Sequence, residues 1–171
     1  MRIGIDYTAA VNQGAGIGRY VRQMTQALLQ LDRENEYVLI APSATADSAQ
    51  FTATATNGAS NAGLVRLPLS ERALVVLWHR LRLPVPVELF AGRLDVFHSP
   101  DFALAPVRKA RTLVTVHDLS FRRVPECFEP ALLTYLNRVV PRSVARADLV
   151  LADSESTRRD AIELLHLDPD R

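Results

Sequence analysis

The chain has one cysteine, Cys127, so no intrachain disulfide can form and a reducing compartment is the simpler setting. It has one lysine, Lys109, against nineteen arginines. The arginines are scattered, which is not the lysine-rich cluster of a membrane-surface patch. An excess of one sign is also missing. Twenty basic residues against nineteen acidic ones give a formal net charge of +1, and no global electrostatic argument for a nucleic-acid partner. Long apolar runs are absent: the longest, residues 73–78, falls far short of the ~20 residues that cross a bilayer. Asp6 interrupts any signal-peptide core at the N-terminus. These absences lead to the expectation of a soluble, cytoplasmic protein. What is present is ordinary globular material: 171 residues, 48% hydrophobic and 23% charged. That excludes wholesale disorder and fits one domain. A chain of this length buries roughly 70% of its unfolded surface, enough for a core without metals or disulfides.

Short apolar runs alternate with helix-period segments throughout. Residues 2–7, carrying Ile3 and Ile5, read as a first strand. Residues 16–32 read as a helix with Ile17, Tyr20, Val21, Met24, Ala27, Leu28 and Leu31 on one face. Arg19, Arg22, Gln23, Gln26 and Gln30 take the other. Further strands are expected at 37–41 (stopped by Pro42), 64–67, 95–98, 112–117 and 148–152. Helices are expected at 70–83, with Leu74, Leu77, Trp78 and Leu81 as a core stripe and Ser70 as cap, at 130–146 with a kink at Pro141, and at 156–165. Residues 87–91 read as a short helical turn. Residues 43–63 are rich in Ser, Ala, Thr, Asn and Gly, with Asp47 the only charge and Phe51 the only large apolar side chain. They read as a long mobile surface loop, either a tolerated insertion or a functional one. No internal repeat is visible. The alternation predicts an α/β fold, a Rossmann-like doubly wound and mainly parallel sheet. The chain stops directly after a helix, which reads as a frayed terminus or a chain cut inside a larger protein.

In such a sheet ligands bind beyond the carboxyl ends of the strands, where strand order reverses. For an order 3-2-1-4-5-6 that crevice involves the loops at 8–15 and 99–105, with the loop after strand five beside them. Unusual residues fall there. Gly14-Ala15-Gly16-Ile17-Gly18-Arg19-Tyr20 carries three of the seven glycines at a helix start, an arrangement suited to phosphate; the plainer alternative is a flexible turn. The dinucleotide fingerprint fails, because Arg19 stands where its third glycine belongs. His117-Asp118 ends strand five and His98-Ser99-Pro100-Asp101 ends strand four, a pairing that points to function. A metal set could be drawn from His98, Asp101, His117 and Asp118. Neighbouring strand residues point to opposite faces, however, and no metal is expected. Asp153-Ser154-Glu155-Ser156 reads as a helix cap. Cys127 lacks a basic partner in sequence and is not taken as a nucleophile. Arg138, Arg142 and Arg146 share a helix face, a solvated one, with a phosphate-binding or anionic-membrane surface as the alternative.

The ordered set of segments resembles the N-terminal half of group 1 (family-4) glycosyltransferases. It comprises the strand ending in Asp6, Gly16-Ile17-Gly18-Arg19-Tyr20, Asp95-Val96-Phe97-His98-Ser99-Pro100, Thr115-Val116-His117-Asp118-Leu119, and residues 147–156. The resemblance covers nearly the whole chain. It implies a GT-B enzyme, in which two Rossmann-like domains face across a cleft, the N-terminal one binding mainly the acceptor and the C-terminal one the nucleotide-sugar. By that resemblance Gly16, Ile17 and Gly18 lie near the donor diphosphate and His117 faces the transferred sugar, with Asp118 beside it as the second catalytic candidate. Asp101, Arg122 and Arg123 help to shape the acceptor pocket. Family members are typically metal-independent and retaining, so no cofactor is expected. The implied partners are a nucleotide-sugar, a carbohydrate or lipid-linked acceptor and the C-terminal domain of the same parent protein. Peripheral association with the inner face of the membrane is left open, and no nucleic acid is expected. The family's basic diphosphate clamp and paired-glutamate motif belong to that C-terminal domain and are not in these 171 residues, so the chain alone is expected not to catalyse turnover.

Two other readings compete. A nicotinamide-dependent Rossmann oxidoreductase is opposed by Arg19 and by a second strand that closes on Ile40-Ala41-Pro42, without an acid for the ribose. A non-catalytic binding module with a vestigial cleft is separated from the enzyme by the effect of removing the His117 side chain.

Overall fold

Six strands make one sheet in the computed structural model, which describes residues 1–14, 16–42, 49–56 and 58–171. They are β1 (Arg2–Asp6), β2 (Glu36–Pro42), β3 (Ala62–Leu67), β4 (Val96–Ser99), β5 (Arg111–Val116) and β6 (Leu149–Ala152). Their order is β3-β2-β1-β4-β5-β6. The pairings of β1 with β2 and β4, of β2 with β3 and of β5 with β6 are all parallel. This is the Rossmann-like arrangement that the alternation of periods predicts, with the order reversing beside β1. The helices are α1 (Thr8–Asn12), α2 (Ile17–Leu31), α3 (Ala49–Thr56), α4 (Glu71–Leu74), α5 (Glu88–Ala91), α6 (Ser120–Arg123), α7 (Pro130–Arg146) and α8 (Glu155–Leu165). A π-helical turn, Val75–Arg80, extends α4, and a 3-10 turn, Pro125–Cys127, follows α6. The chain divides into two compact units, residues 1–98 with 105–110, and residues 99–104 with 111–171.

In the first unit, Ile5, Tyr7, Val21, Leu29 and Leu39 form the buried centre. Most of the face expected of α2 packs inward: Val21 is in the core cluster, and Ile17, Tyr20, Met24 and Leu28 pack against it; the most deeply buried line is shifted from it. That line runs through Gly18, Val21, Thr25 and Leu29, whereas Ala27 is exposed and Leu31 is 85% exposed. A glycine and a threonine sit on the inward line because space there is limited, and hydropathy alone assigns neither to a core. Residues 8–12, expected as loop, form α1, whose first amide is tied down when Thr8 N–H donates to Asp6 Oδ1 at 3.0 Å. The expected loop at 43–63 is corrected as well. Its residues 49–56 are helical and 62–63 open β3, while residues 43–48 and 57 of that stretch lie outside the described residues. Alanine favours helix, and α3 buries Ala55 in the core cluster. Its alternation of alanine and threonine simply carries no apolar period. Beyond α2, Asp32 accepts from the amides of Glu34 and Asn35 and from the Tyr37 hydroxyl at 2.7 Å. Burial, and then the Asp32 carboxylate, push the Tyr37 hydroxyl up to about 12.

In the second unit, Val114, Val116, Leu119, Phe121, Val140 and Val144 are buried. Asp148 joins the starts of the two strands: its carboxylate accepts from Thr112 N–H at 2.8 Å, Thr112 Oγ1 at 2.8 Å and Arg111 Nη1 at 2.7 Å. These donors, the Arg111 guanidinium first, lower its pKa to about 2. Glu129 caps α7 by accepting from Leu132 N–H at 3.0 Å, with Pro130 in the first turn, where its missing donor costs nothing. The helix continues through Pro141 to Arg146. Arg138, Arg142 and Arg146 are exposed on it. Ser143 Oγ accepts from Leu104 N–H at 2.9 Å and so holds the 99–104 segment onto α7.

Candidate functional site

The strand ends carry the chemistry-bearing residues, and register decides which of them meet. β5 and β6 pair with Val116 opposite Ala152, so the next residue on each strand, His117 and Asp153, come side by side. The His117 Nδ1 lies 3.0 Å from Asp153 Oδ2. Its Nε2 lies 3.0 Å from the Pro100 carbonyl oxygen. Phe102 stands edge-on to the ring at 5.8 Å between centroids and an interplanar angle of 84°. The backbone is held too: Thr157 Oγ1 donates to the His117 carbonyl at 2.8 Å, and Ser154 Oγ accepts from Thr157 N–H at 3.0 Å as the cap of α8. The imidazole is therefore fixed by two chain segments, residues 100–102 and Asp153, with its side chain 12% exposed. Both of its nitrogens face acceptors. A neutral ring can donate to one of them and a cationic ring to both. Such a ring is held in a set orientation at the strand ends.

The remaining candidates of this unit have contacts of their own. Asp118 is exposed, and its Oδ1 accepts from Ser120 N–H at 2.9 Å and from the Ser120 hydroxyl, so it caps α6. Asp101 Oδ1 accepts from Phe102 N–H at 2.7 Å, on the same short segment as Pro100. Arg122 is exposed at the end of α6. Arg123 lies between two carboxylates, with Nη2 at 2.6 Å from both Asp160 Oδ1 and Glu163 Oε2. Those hydrogen bonds, that to Glu163 foremost, strengthen its hold on the proton, and they hold the Glu163 carboxyl below its ordinary range.

In the first unit the glycine segment has two characters. Gly16 caps α2 with φ +54° and ψ −117°, a conformation that L side chains rarely adopt, and a Cβ there would meet nothing within 4 Å. No side chain caps α2, and its first turn contains no acid. Its leading amides therefore keep their donors and the positive end of the dipole. Gly18 differs: a Cβ there would lie 2.1 Å from the Gln13 carbonyl oxygen and 2.7 Å from that of Ala9. Its glycine serves the close approach of α2 to the end of α1. Ala15 lies outside the described residues. His98, at the end of β4, is 5% exposed. Among the described residues no three His, Cys, Asp or Glu side chains gather as a metal set, and no helix is long and apolar enough to cross a membrane.

Two residues of consequence were not legible in sequence. Asp153 read as part of a helix cap; nothing in a spacing of 36 residues pairs it with His117 until strand order and register are known. Arg22 read as outer-face charge. Its guanidinium instead donates to the carbonyls of Ala10 at 2.6 Å, Gln13 at 2.9 Å and Gly14 at 3.3 Å. It thus holds the end of α1 and the approach to the glycine segment. Its position one turn beyond Gly18 on α2 was the available signal.

Comparison with known proteins adds to this geometry. The model of the family described as Glycosyltransferase Family 4 matches residues 14–171. The chain is similar to the O-antigen chain mannosyltransferase B of Escherichia coli, 28% identical over 159 residues, covering 91% of this chain and 42% of that protein. It thus spans about two fifths of the length of this curated relative.

Proposed function

Since the chain belongs to glycosyltransferase family 4, we propose that it is the N-terminal, acceptor-side domain of a GT-B enzyme that moves a sugar from a nucleotide-sugar to a carbohydrate or lipid-linked acceptor, with retention. The observation that carries this reading is the immobilised His117 ring at the carboxyl ends of the strands, tied to Asp153 and the Pro100 carbonyl at 3.0 Å each. A leaving nucleoside diphosphate gains negative charge, and preorganised amides and fixed donors can stabilise it without a metal ion. The amides at the start of α2, at Gly16 and Ile17, serve that end of the donor, while Gly18 serves by keeping α2 in place. His117 orients the transferred sugar. Asp101, Asp118 and Arg122 line the acceptor side; Arg123, bound to Asp160 and Glu163, supports that side by anchoring α6. The domain completing the enzyme supplies the basic groups for the diphosphate. The relative's name mentions mannose, which makes a mannosyl nucleotide the first donor to test.

The test is His117→Ala in the full-length parent protein. The expected result is a fall in kcat of at least about a hundredfold, the scale of losing one preorganised donor, with an unchanged circular-dichroism spectrum. Unchanged activity would defeat this assignment of the site.

A further inference from the structure

The Asp153 carboxylate at the end of β6 is not taken up by the helix that follows. The cap of α8 is Ser154, whose Oγ accepts from Thr157 N–H at 3.0 Å. Among the described residues no arginine or lysine pairs with Asp153; its partner is the His117 ring, Oδ2 to Nδ1 at 3.0 Å. The other ring nitrogen meets a fixed acceptor. Nε2 lies 3.0 Å from the Pro100 carbonyl oxygen, and the segment carrying Pro100 is braced on both sides of it. Ser99 Oγ donates to the Ala103 carbonyl at 2.6 Å, and Leu104 N–H donates to Ser143 Oγ at 2.9 Å.

The two acceptors are unequal. One is a carboxylate and the other a neutral carbonyl, and a hydrogen bond to an ionised acceptor is roughly twice as strong as one between neutral groups. The hydrogen bond made by one ring nitrogen decides which of the two carries the proton. The single proton of a neutral imidazole therefore belongs on Nδ1, facing Asp153, and Nε2 is left as the nitrogen whose partner can change. We propose that Asp153 is a positioning residue of the transferase: it holds the proton on Nδ1 of His117 and so makes Nε2 the nitrogen that addresses the sugar. Asp153 acts only through the ring. Its effect on transfer rests on the proposed role of His117, whereas the place of the proton does not, so the two can fail separately.

The experiment reads both. In the 171-residue chain, with its histidines labelled with nitrogen-15, proton–nitrogen correlation spectra at alkaline pH show which ring nitrogen of His117 is protonated. Its signals are identified by their loss in His117→Ala. Expected is a protonated Nδ1 in the wild type and a mixture of both tautomers in Asp153→Asn. A wild-type ring protonated on Nε2 overturns the proposal, and so does an Asp153→Asn ring that keeps its proton wholly on Nδ1. In the full-length parent, Asp153→Asn is expected to lower kcat at least about tenfold, the scale of one hydrogen bond to a charged group. It is expected to cost nothing further when His117 is already alanine, because a residue acting through the ring has no effect without it. A mere tie between strand ends would slow both backgrounds by the same factor; that result, or wild-type kcat in Asp153→Asn, overturns the positioning role. Full activity in His117→Ala removes the ring from the reaction and Asp153 with it, while the spectra still place the proton. Asp153 is 39% exposed, and thermal melts confirm that the variants fold.

Discussion

Two glycines separated by one residue show how residue type and role diverge. Gly18 has no room for a side chain, since a Cβ would stand 2.1 Å from a backbone oxygen that cannot move without α1. Gly16 has room but an unusual backbone, with φ +54°. Gly18→Ala is therefore expected to destabilise the chain by about 3 kcal/mol, through overpacking against backbone. Gly16→Ala should cost about 1 kcal/mol of backbone strain. Paired thermal melts check the ranking, and an equal or reversed order would mean that the α1–α2 approach is not what Gly18 serves. Reading the sequence found both glycines and assigned both to a phosphate. It could not tell them apart, because the atom that excludes a side chain at 18 belongs to the carbonyl of Gln13, and nothing in the residue types records how closely two helices pass.

At the scale of elements, the β5–β6 pair is held at its start by Asp148 and presents its chemistry at its end. The Asp148 carboxyl titrates at about 2 in the folded chain, against 3.8 for an ordinary aspartate. A lowered pKa means that the folded form favours the ionised group. Its stabilisation is complete above about pH 4 and is lost as the pH falls through 2. Wild-type melting temperature is expected to fall over that window, and Asp148→Asn to be less stable at neutral pH with a shallower acid limb. Since the carboxylate is 39% exposed, solvent screening limits the neutral-pH difference to about 1 kcal/mol. Parallel acid limbs for the two proteins would remove Asp148 as the cause. The elements themselves were largely legible. All six strands appear within two residues of their expected bounds, because apolar runs ending in proline or polar residues are local signals. α1 and α3 were missed for the same reason in reverse: in Thr8-Ala9-Ala10-Val11-Asn12 and the Ala–Thr alternation of α3 only the alanines favour helix, and no amphipathic period announces it.

At the scale of the molecule, the matched relative is more than twice as long as this chain, and the proposed chemistry needs groups on both sides of a donor. The 171-residue chain is expected to release no nucleoside diphosphate above background from a mannosyl nucleotide, even with acceptor present, whereas the full-length parent turns over. Robust transfer by the chain alone would show that it carries a complete site, and the half-enzyme reading would fall.

The sequence by itself determined the alternation of strand and helix, the parallel doubly wound class, and the concentration of histidine, glycine and carboxylate at strand ends, since these follow from periodicity and residue chemistry along neighbouring stretches of chain. The tertiary structure decided which of those groups act together. Asp153 meets His117 because β5 and β6 pair with Val116 opposite Ala152. Arg22 reaches three carbonyls because Gly18 lets α2 lie against α1. Leu81, expected in the core, is 63% exposed because the π-helical turn after α4 widens and takes its N–H to the Val76 carbonyl at 2.8 Å. Each depends on a distance between segments, set by packing and register. A linear pattern of residue types carries that information only after the chain has folded.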